Sequence, residues 1–129
     1  RSIGGLCSTI LEFGAGMCLE ELLLRHALRM ELPSLERTGG GVGAMMIPIP
    51  KGGVLRAVHG VAEAEVVPNI TGVEISIRPH TVVTPLPEGS SYLGFIFARA
   101  ETPAAAEEAL RTAHSKLHFD IAPLLPIAR

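Results

Sequence analysis

Tryptophan is absent from this 129-residue chain, and only five aromatic residues occur, four Phe and one Tyr. Base stacking needs aromatic rings interleaved with cations, so this scarcity argues against a nucleic-acid partner. Excess charge of one sign is missing as well: 11 Lys and Arg stand against 13 Asp and Glu, a formal net charge of −2. The chain therefore has no basic stripe for a nucleic acid or an anionic membrane surface. No apolar run approaches the roughly 20 residues that a membrane span requires. The two cysteines, Cys7 and Cys18, make neither a disulfide framework nor the Cys/His spacing of a zinc site. They read as small buried thiols in a reducing, cytoplasmic setting. Aspartate occurs once, at Asp120. No Gly-x-Ser-x-Gly elbow and no Ser, His and Asp arrangement points to a hydrolase.

What is present is the composition of a folded domain. A hydrophobic share of 47% with 19% charged residues excludes an intrinsically disordered chain. The length suits one ordinary domain that buries roughly two-thirds of its unfolded surface. The chain opens Arg1-Ser2-Ile3-Gly4-Gly5, with no initiating Met and no signal-peptide pattern. That opening reads as a piece of a longer protein.

Leu19, Leu22, Leu23, Ala27 and Met30 mark one face at helical spacing, so a helix is expected over Leu19 to Met30. Glu20 and Glu21 in its first turn and Arg25 and Arg29 near its end suit the helix dipole, and Pro33 stops it. Leu24 and Leu28 widen the apolar face enough for packing on two sides. Residues 35–43, with glycines at 39, 40, 41 and 43, read as a flexible connector. Lys51 is too distant from it, and no Ser or Thr follows, for a phosphate-binding loop.

Ala44 to Pro50 fits an edge strand that tolerates Pro48 and Pro50. Val54 to Val58 reads as a short strand and Val61 to Val67 as a short helix. Val73, Ile75 and Ile77 alternate with polar residues, as in a half-buried strand. Thr81 to Pro87 is a further extended piece. Leu93 to Ala98 is apolar on both faces and so reads as the central strand. Thr102 and Pro103 form an N-cap and first helical position, opening a helix to about Leu117 with Ala106, Ala109, Leu110, Ala113 and Leu117 inward. This order predicts an α+β fold: a small antiparallel-rich sheet with two main helices. Residues 1–34 read as the end of one unit, 35–43 as the connector, and 44–129 as a C-terminal α+β domain.

Among residues able to carry chemistry, His114 and His118 stand at i,i+4 on the last helix, but the Glu of a zinc-hydrolase helix is absent. Met45-Met46 and the run Leu22 to Leu24 read as core. Arg1 followed by Gly4-Gly5 offers a guanidinium fork and a backbone unobstructed by Cβ, which a bound carboxylate or phosphate needs. Arg1, Gly4 and Gly5 are the candidate substrate-binding residues, Arg1 the candidate catalytic one, and no metal ligand is assigned.

The segments Arg1 to Ser8 and Gly16-Met17-Cys18-Leu19-Glu20-Glu21-Leu22 resemble the closing part of the catalytic unit of ATP-grasp enzymes, in the L-amino-acid ligase branch of carboxylate–amine ligases. Met45 to Pro50, Gly53-Val54-Leu55, Pro85-Leu86-Pro87, Tyr92 to Ala100 and the stretch from Thr102 to Asp120 resemble that branch's C-terminal domain. The resemblance covers nearly the whole chain, through the order and spacing of short motifs. It implies the C-terminal portion of an ATP-grasp architecture. It also implies a parent that uses ATP and Mg²⁺ to convert a carboxylate, that of an amino acid, to an acyl phosphate attacked by an amine. Arg1 would then contact phosphate or substrate carboxylate, and Gly4 would offer its N–H. The acidic metal ligands, nucleotide-binding lysines and glycine-rich lid of such enzymes fall upstream of Arg1, so this chain alone is expected to be inactive and to hold no cofactor. The expected partners are the N-terminal part of its own protein, the carboxylate and amine substrates, and a second copy through the Leu19 to Met30 helix. A packing or oligomerisation module, or a biotin-carboxylase-like or purine-pathway ligase parent, is the alternative.

Overall fold

Seven residues of one strand decide the architecture, because they alternate between two environments. In Gly94–Ala100, Gly94, Ile96 and Ala98 are buried, while Phe95 and Phe97 are half-buried and Arg99 is exposed. A computed structural model describes residues 6–124 and sets this strand at the centre of a three-stranded sheet. In chain order the elements are β1 (Glu12–Phe13), β2 (Met17–Cys18), α1 (Leu19–Ala27), β3 (Gly41–Ile47), β4 (Gly53–His59) and α2 (Val61–Glu65). They continue with β5 (Ile70–Ile75), β6 (Val82–Val83), β7 (Gly94–Ala100), α3 (Pro103–Lys116) and β8 (His118–Ala122). Short 3₁₀ turns occupy Cys7–Ile10 and Gly14–Gly16.

The strands form two antiparallel sheets, ordered β3-β7-β5 and β6-β4-β8, and a two-stranded ribbon, β1-β2. The fold is α+β, as expected, and β3 is an edge strand that ends before Pro48 and Pro50. Helix α3 covers one face of the first sheet. Thr102 caps it by accepting the Ala105 N–H at 3.2 Å, with Pro103 in the first turn. Its small inward residues Ala106, Ala109 and Ala113, with Leu110, are all buried. Ile47, Leu55, Leu93, Ile96 and Val83 are the largest fully buried side chains, so the core runs between both sheets and α3.

The glycine run is not the expected flexible connector. Gly41 and Gly43 belong to β3, paired with Ala100 and Ala98 of β7. A Cβ on Gly40 would collide with the carbonyls of Ala100 and Glu101, and one on Gly41 with the Thr102 carbonyl and the Pro103 nitrogen. One on Gly43 would come 2.7 Å from Leu110 Cδ1. Absence of side chains here serves close approach, not mobility. The residues just before the run are pinned too: Thr38 N–H donates to the Glu12 carbonyl at 2.9 Å, and Gly14 N–H to that of Glu36 at 3.0 Å.

Other expectations need correction. Helix α1 stops at Ala27, short of Pro33, because Arg29 enters the left-handed region at φ 56°. The Met30 N–H then reaches the Arg25 carbonyl at 2.8 Å and the Arg29 N–H that of His26 at 3.1 Å, a Schellman ending. No residue of α1 is buried, and Leu24, Leu28 and Met30 are 63%, 68% and 51% exposed. The Leu22 to Leu24 run is therefore not core, and Met46 is exposed on β3 while its neighbour Met45 packs against the core. Cys18 is exposed and Cys7 half-buried, so the thiols are not a buried pair. Residue 117 ends α3, and His118 begins an unexpected strand.

These contacts set a contrast between two glycines. Gly41→Ala should cost about 1–3 kcal/mol, the range for forced overpacking. Gly72→Ala, whose Cβ would meet nothing nearer than Phe97 at 3.8 Å, should change stability by no more than about 1 kcal/mol. Urea midpoints of the two variants provide the comparison; equal losses would mean that β3 does not depend on the close approach.

Candidate functional site

The face of the first sheet turned away from α3 carries Val42, Ala44 and Met46 of β3 opposite Arg99, Phe97 and Phe95 of β7. The Phe95 and Phe97 rings lie parallel, 6.2 Å apart and 4° from coplanar orientation. The turn Cys7–Ile10 covers one end of this face and encloses a crevice of about 220 Å³ with Thr9, Ile10, Val42, Thr71, Phe97 and Arg99 in its wall. Thr71 is there because β5 bulges: Ile70 pairs with Ala98 and Gly72 with Phe97, leaving Thr71 as the extra residue.

Arg99 is the cation of this crevice. Its guanidinium lies 3.4 Å from a Glu12 carboxylate oxygen, with both side chains about two-fifths exposed (41% and 43%). At that exposure the pair contributes roughly 0–1 kcal/mol, so it orients Arg99 more than it stabilises the fold. The turn itself is tied to α1. Ser8, the buried polar residue of the described core, donates its hydroxyl to Glu20 in the first turn of the helix. That bond, then the backbone N–H of Glu20 and a smaller contribution from Cys18, hold the Glu20 carboxyl below its ordinary range against a slight opposing effect of burial.

Arg1, Gly4 and Gly5 lie outside the described residues, so their expected roles rest on the sequence. The turn and crevice follow them directly in the chain. The expected i,i+4 His pair does not form, because His114 is on α3 and His118 on β8, where its ring stacks on His59 at 6.4 Å. Among the described residues no three His, Cys, Asp or Glu come together as metal ligands. The crevice offers a guanidinium, threonine hydroxyls and an aromatic wall: groups that bind and orient, without a nucleophile paired to a base. Sequence reasoning missed Arg99, although a lone charge in the apolar strand Gly-Phe-Ile-Phe-Ala-Arg-Ala was the available signal.

The fold is that of a ligase's C-terminal region. The chain matches the crystal structure of L-amino acid ligase from Bacillus licheniformis with a TM-score of 0.63 at 23% identity, over 83% of this chain and 27% of that one. The chain thus spans about a quarter of the length of that ligase. Residues 45–122 match the family L-amino acid ligase C-terminal domain 2, and the chain belongs to that family. No curated protein matches it. The resemblance to the C-terminal part of an ATP-grasp ligase of the L-amino-acid branch therefore stands. No helix of the described residues is long and apolar enough to cross a membrane.

The Ser8–Glu20 tie has a pH signature. Because the folded carboxyl titrates below the ordinary glutamate value of 4.5, the stabilisation is fully present above that pH and is lost as pH falls through the lowered value. Ser8→Ala should accordingly destabilise most near neutrality, and the gap to wild type should narrow below pH 4.5. Denaturant unfolding at several pH values measures it, and a gap independent of pH would remove Glu20 from the account.

Proposed function

We propose that this chain is the C-terminal portion of an ATP-dependent carboxylate–amine ligase, one that activates an amino-acid carboxylate as an acyl phosphate and passes it to an amine. The observation that carries this reading is the family match over residues 45–122, set beside a fold shared with a quarter of a known ligase. In this reading residues 1–34 close the catalytic unit and the C-terminal domain follows, with its first strand beginning at Gly41. Arg1 binds phosphate or the substrate carboxylate through its fork, and Gly4 and Gly5 leave backbone N–H groups open beside it.

ATP and Mg²⁺ belong to the parent enzyme. The described residues do not fit them: the one carboxylate near the crevice, Glu12, is engaged by Arg99, and no metal-ligand cluster accompanies it. Activation is therefore assigned to the upstream part of the protein, and the crevice to binding and support. A cytoplasmic setting, where ATP is available and the thiols of Cys7 and Cys18 stay reduced, completes the reading.

The test uses the protein made with whatever coding sequence adjoins Arg1. Phosphate release from ATP should require both an amino acid and an amine. Arg1→Ala should lower kcat/KM by about a hundredfold or more, the usual loss for one donor to a developing anion. The 129-residue chain alone should show no Mg²⁺-dependent ATP binding by calorimetry. Micromolar affinity there would overturn the assignment.

We further infer a homodimer that covers Leu24, Leu28 and Met30, because exposed apolar surface costs about 25 cal/mol per Å². Light scattering should report a dimer, and Leu28→Glu should convert it to monomer without changing the sheets' far-UV signal. A wild-type monomer at high concentration would exclude it.

A further inference from the structure

The second sheet contains two backbone irregularities that meet. Along β4, Leu55 pairs with Ile121 and Ala57 with Asp120, so Arg56 is the unpaired extra residue of a bulge. On the opposite edge of β4, His80 adopts φ 68°, a left-handed conformation that costs a non-glycine residue about 1–3 kcal/mol when the surroundings impose it. Its N–H donates to the Leu55 carbonyl at 2.6 Å, and the Leu55 N–H donates to Thr81 at 3.0 Å, which fixes His80 beside Arg56. Bulges re-aim side chains, and here both deviations direct a nitrogen-bearing group into one groove. The groove encloses about 620 Å³ and is completed by Val54, Ala122, Pro123 and Leu124. No carboxylate lines it, and among the described residues neither Arg56 nor His80 takes part in an ion pair. Arg99 has Glu12 opposite it; Arg56 has an apolar wall.

We propose that this groove binds a small organic carboxylate, its head on Arg56 and His80 and its aliphatic body along Val54, Ala122, Pro123 and Leu124. Arg56 supplies the planar fork that matches a carboxylate in two parallel hydrogen bonds. The exposed apolar edge of Leu124, 58% accessible, supplies surface that an alkyl chain would cover. The groove lies on the second sheet, apart from the crevice beside Arg99, so the proposal is independent of the ligase reading.

Sodium hexanoate is the probe, titrated into the 129-residue chain while the imidazole signals of its five His are followed by NMR. The His80 signals should shift saturably, and hexanamide, with the same body and no charge, should move them little. Arg56→Gln should weaken hexanoate binding about tenfold or more, the loss expected for a hydrogen bond to a charged group. His80→Asn keeps a residue tolerant of the left-handed region, so it tests the ring without breaking the turn, and it too should weaken binding. Shifts confined to His114 and His118, which line a separate cavity with Lys51, would overturn the proposal. Equal affinity in the Arg56→Gln and His80→Asn proteins, or equal response to hexanamide, would do the same.

Discussion

Helix α3 lies so close to strand β3 that the strand has no room for side chains at Gly41 and Gly43, where the helix begins and where Leu110 descends. The rest of the domain depends on this approach. It lets the short alanines of α3 reach Ile96 and Ala98 on the central strand, and it aligns β3 with β7 over seven unbroken residue pairs. A helix held a few ångströms further out would leave Ala106, Ala109 and Ala113 facing a gap, since alanine cannot fill the distance that leucine would. Small residues on both partners make one dense layer, and α2 packs against α3 through Ala64, which is fully buried.

Committing one face of the first sheet to α3 leaves the other to be covered by something else. Within the described residues only the turn Cys7–Ile10 and the ribbon around Glu12 reach it, and they cover one end. The half-buried pair Phe95 and Phe97 and the exposed Met46 stand beyond that cover. The N-terminal segment is thus held to the domain by few and mostly polar links, among them Arg99–Glu12 and the backbone bonds of Glu36 and Thr38. Segments held in this way open at lower free energy than a core strand. Such a segment suits a site whose remaining parts come from elsewhere in a larger enzyme.

The sequence was legible wherever a local rule and the tertiary structure agreed. Thr102-Pro103 announced α3, the doubly apolar run Leu93 to Ala98 announced the central strand, and the two prolines after Ile47 announced an edge. Its glycines were ambiguous because the same residue serves freedom and proximity, and only the Thr102 and Leu110 atoms on the far side decide between them. His118 was placed on the helix because nothing local distinguishes a continuing helical face from a turn into β8; the pairing partner, His59, is distant in sequence. Helix α1 ended early through Arg29 in a conformation normally given to glycine, a choice that no propensity favours. The site fared least well, because Arg1, Gly4 and Gly5 lie outside the described residues and Arg99 acquires its meaning only from Glu12 across the fold.

The two crevices share a construction. Thr71 reaches the first through a bulge in β5, and Arg56 reaches the second through a bulge in β4. In each case a regular ladder would have pointed consecutive residues to alternate faces, with one of them in the core. Inserting an extra residue avoids burying the polar group: Ile70 and Val73 still face the core around Thr71, and Leu55 stays fully buried beside Arg56. The irregularities therefore cost little packing while they release a hydroxyl and a guanidinium to the surface. The β3–β7 ladder, which has no such break, contributes Arg99 only at its exposed end. Regular pairing sustains the core and irregular pairing delivers the binding groups, so the positions most free to change chemistry between relatives are Thr71 and Arg56, whose replacement leaves both cores intact.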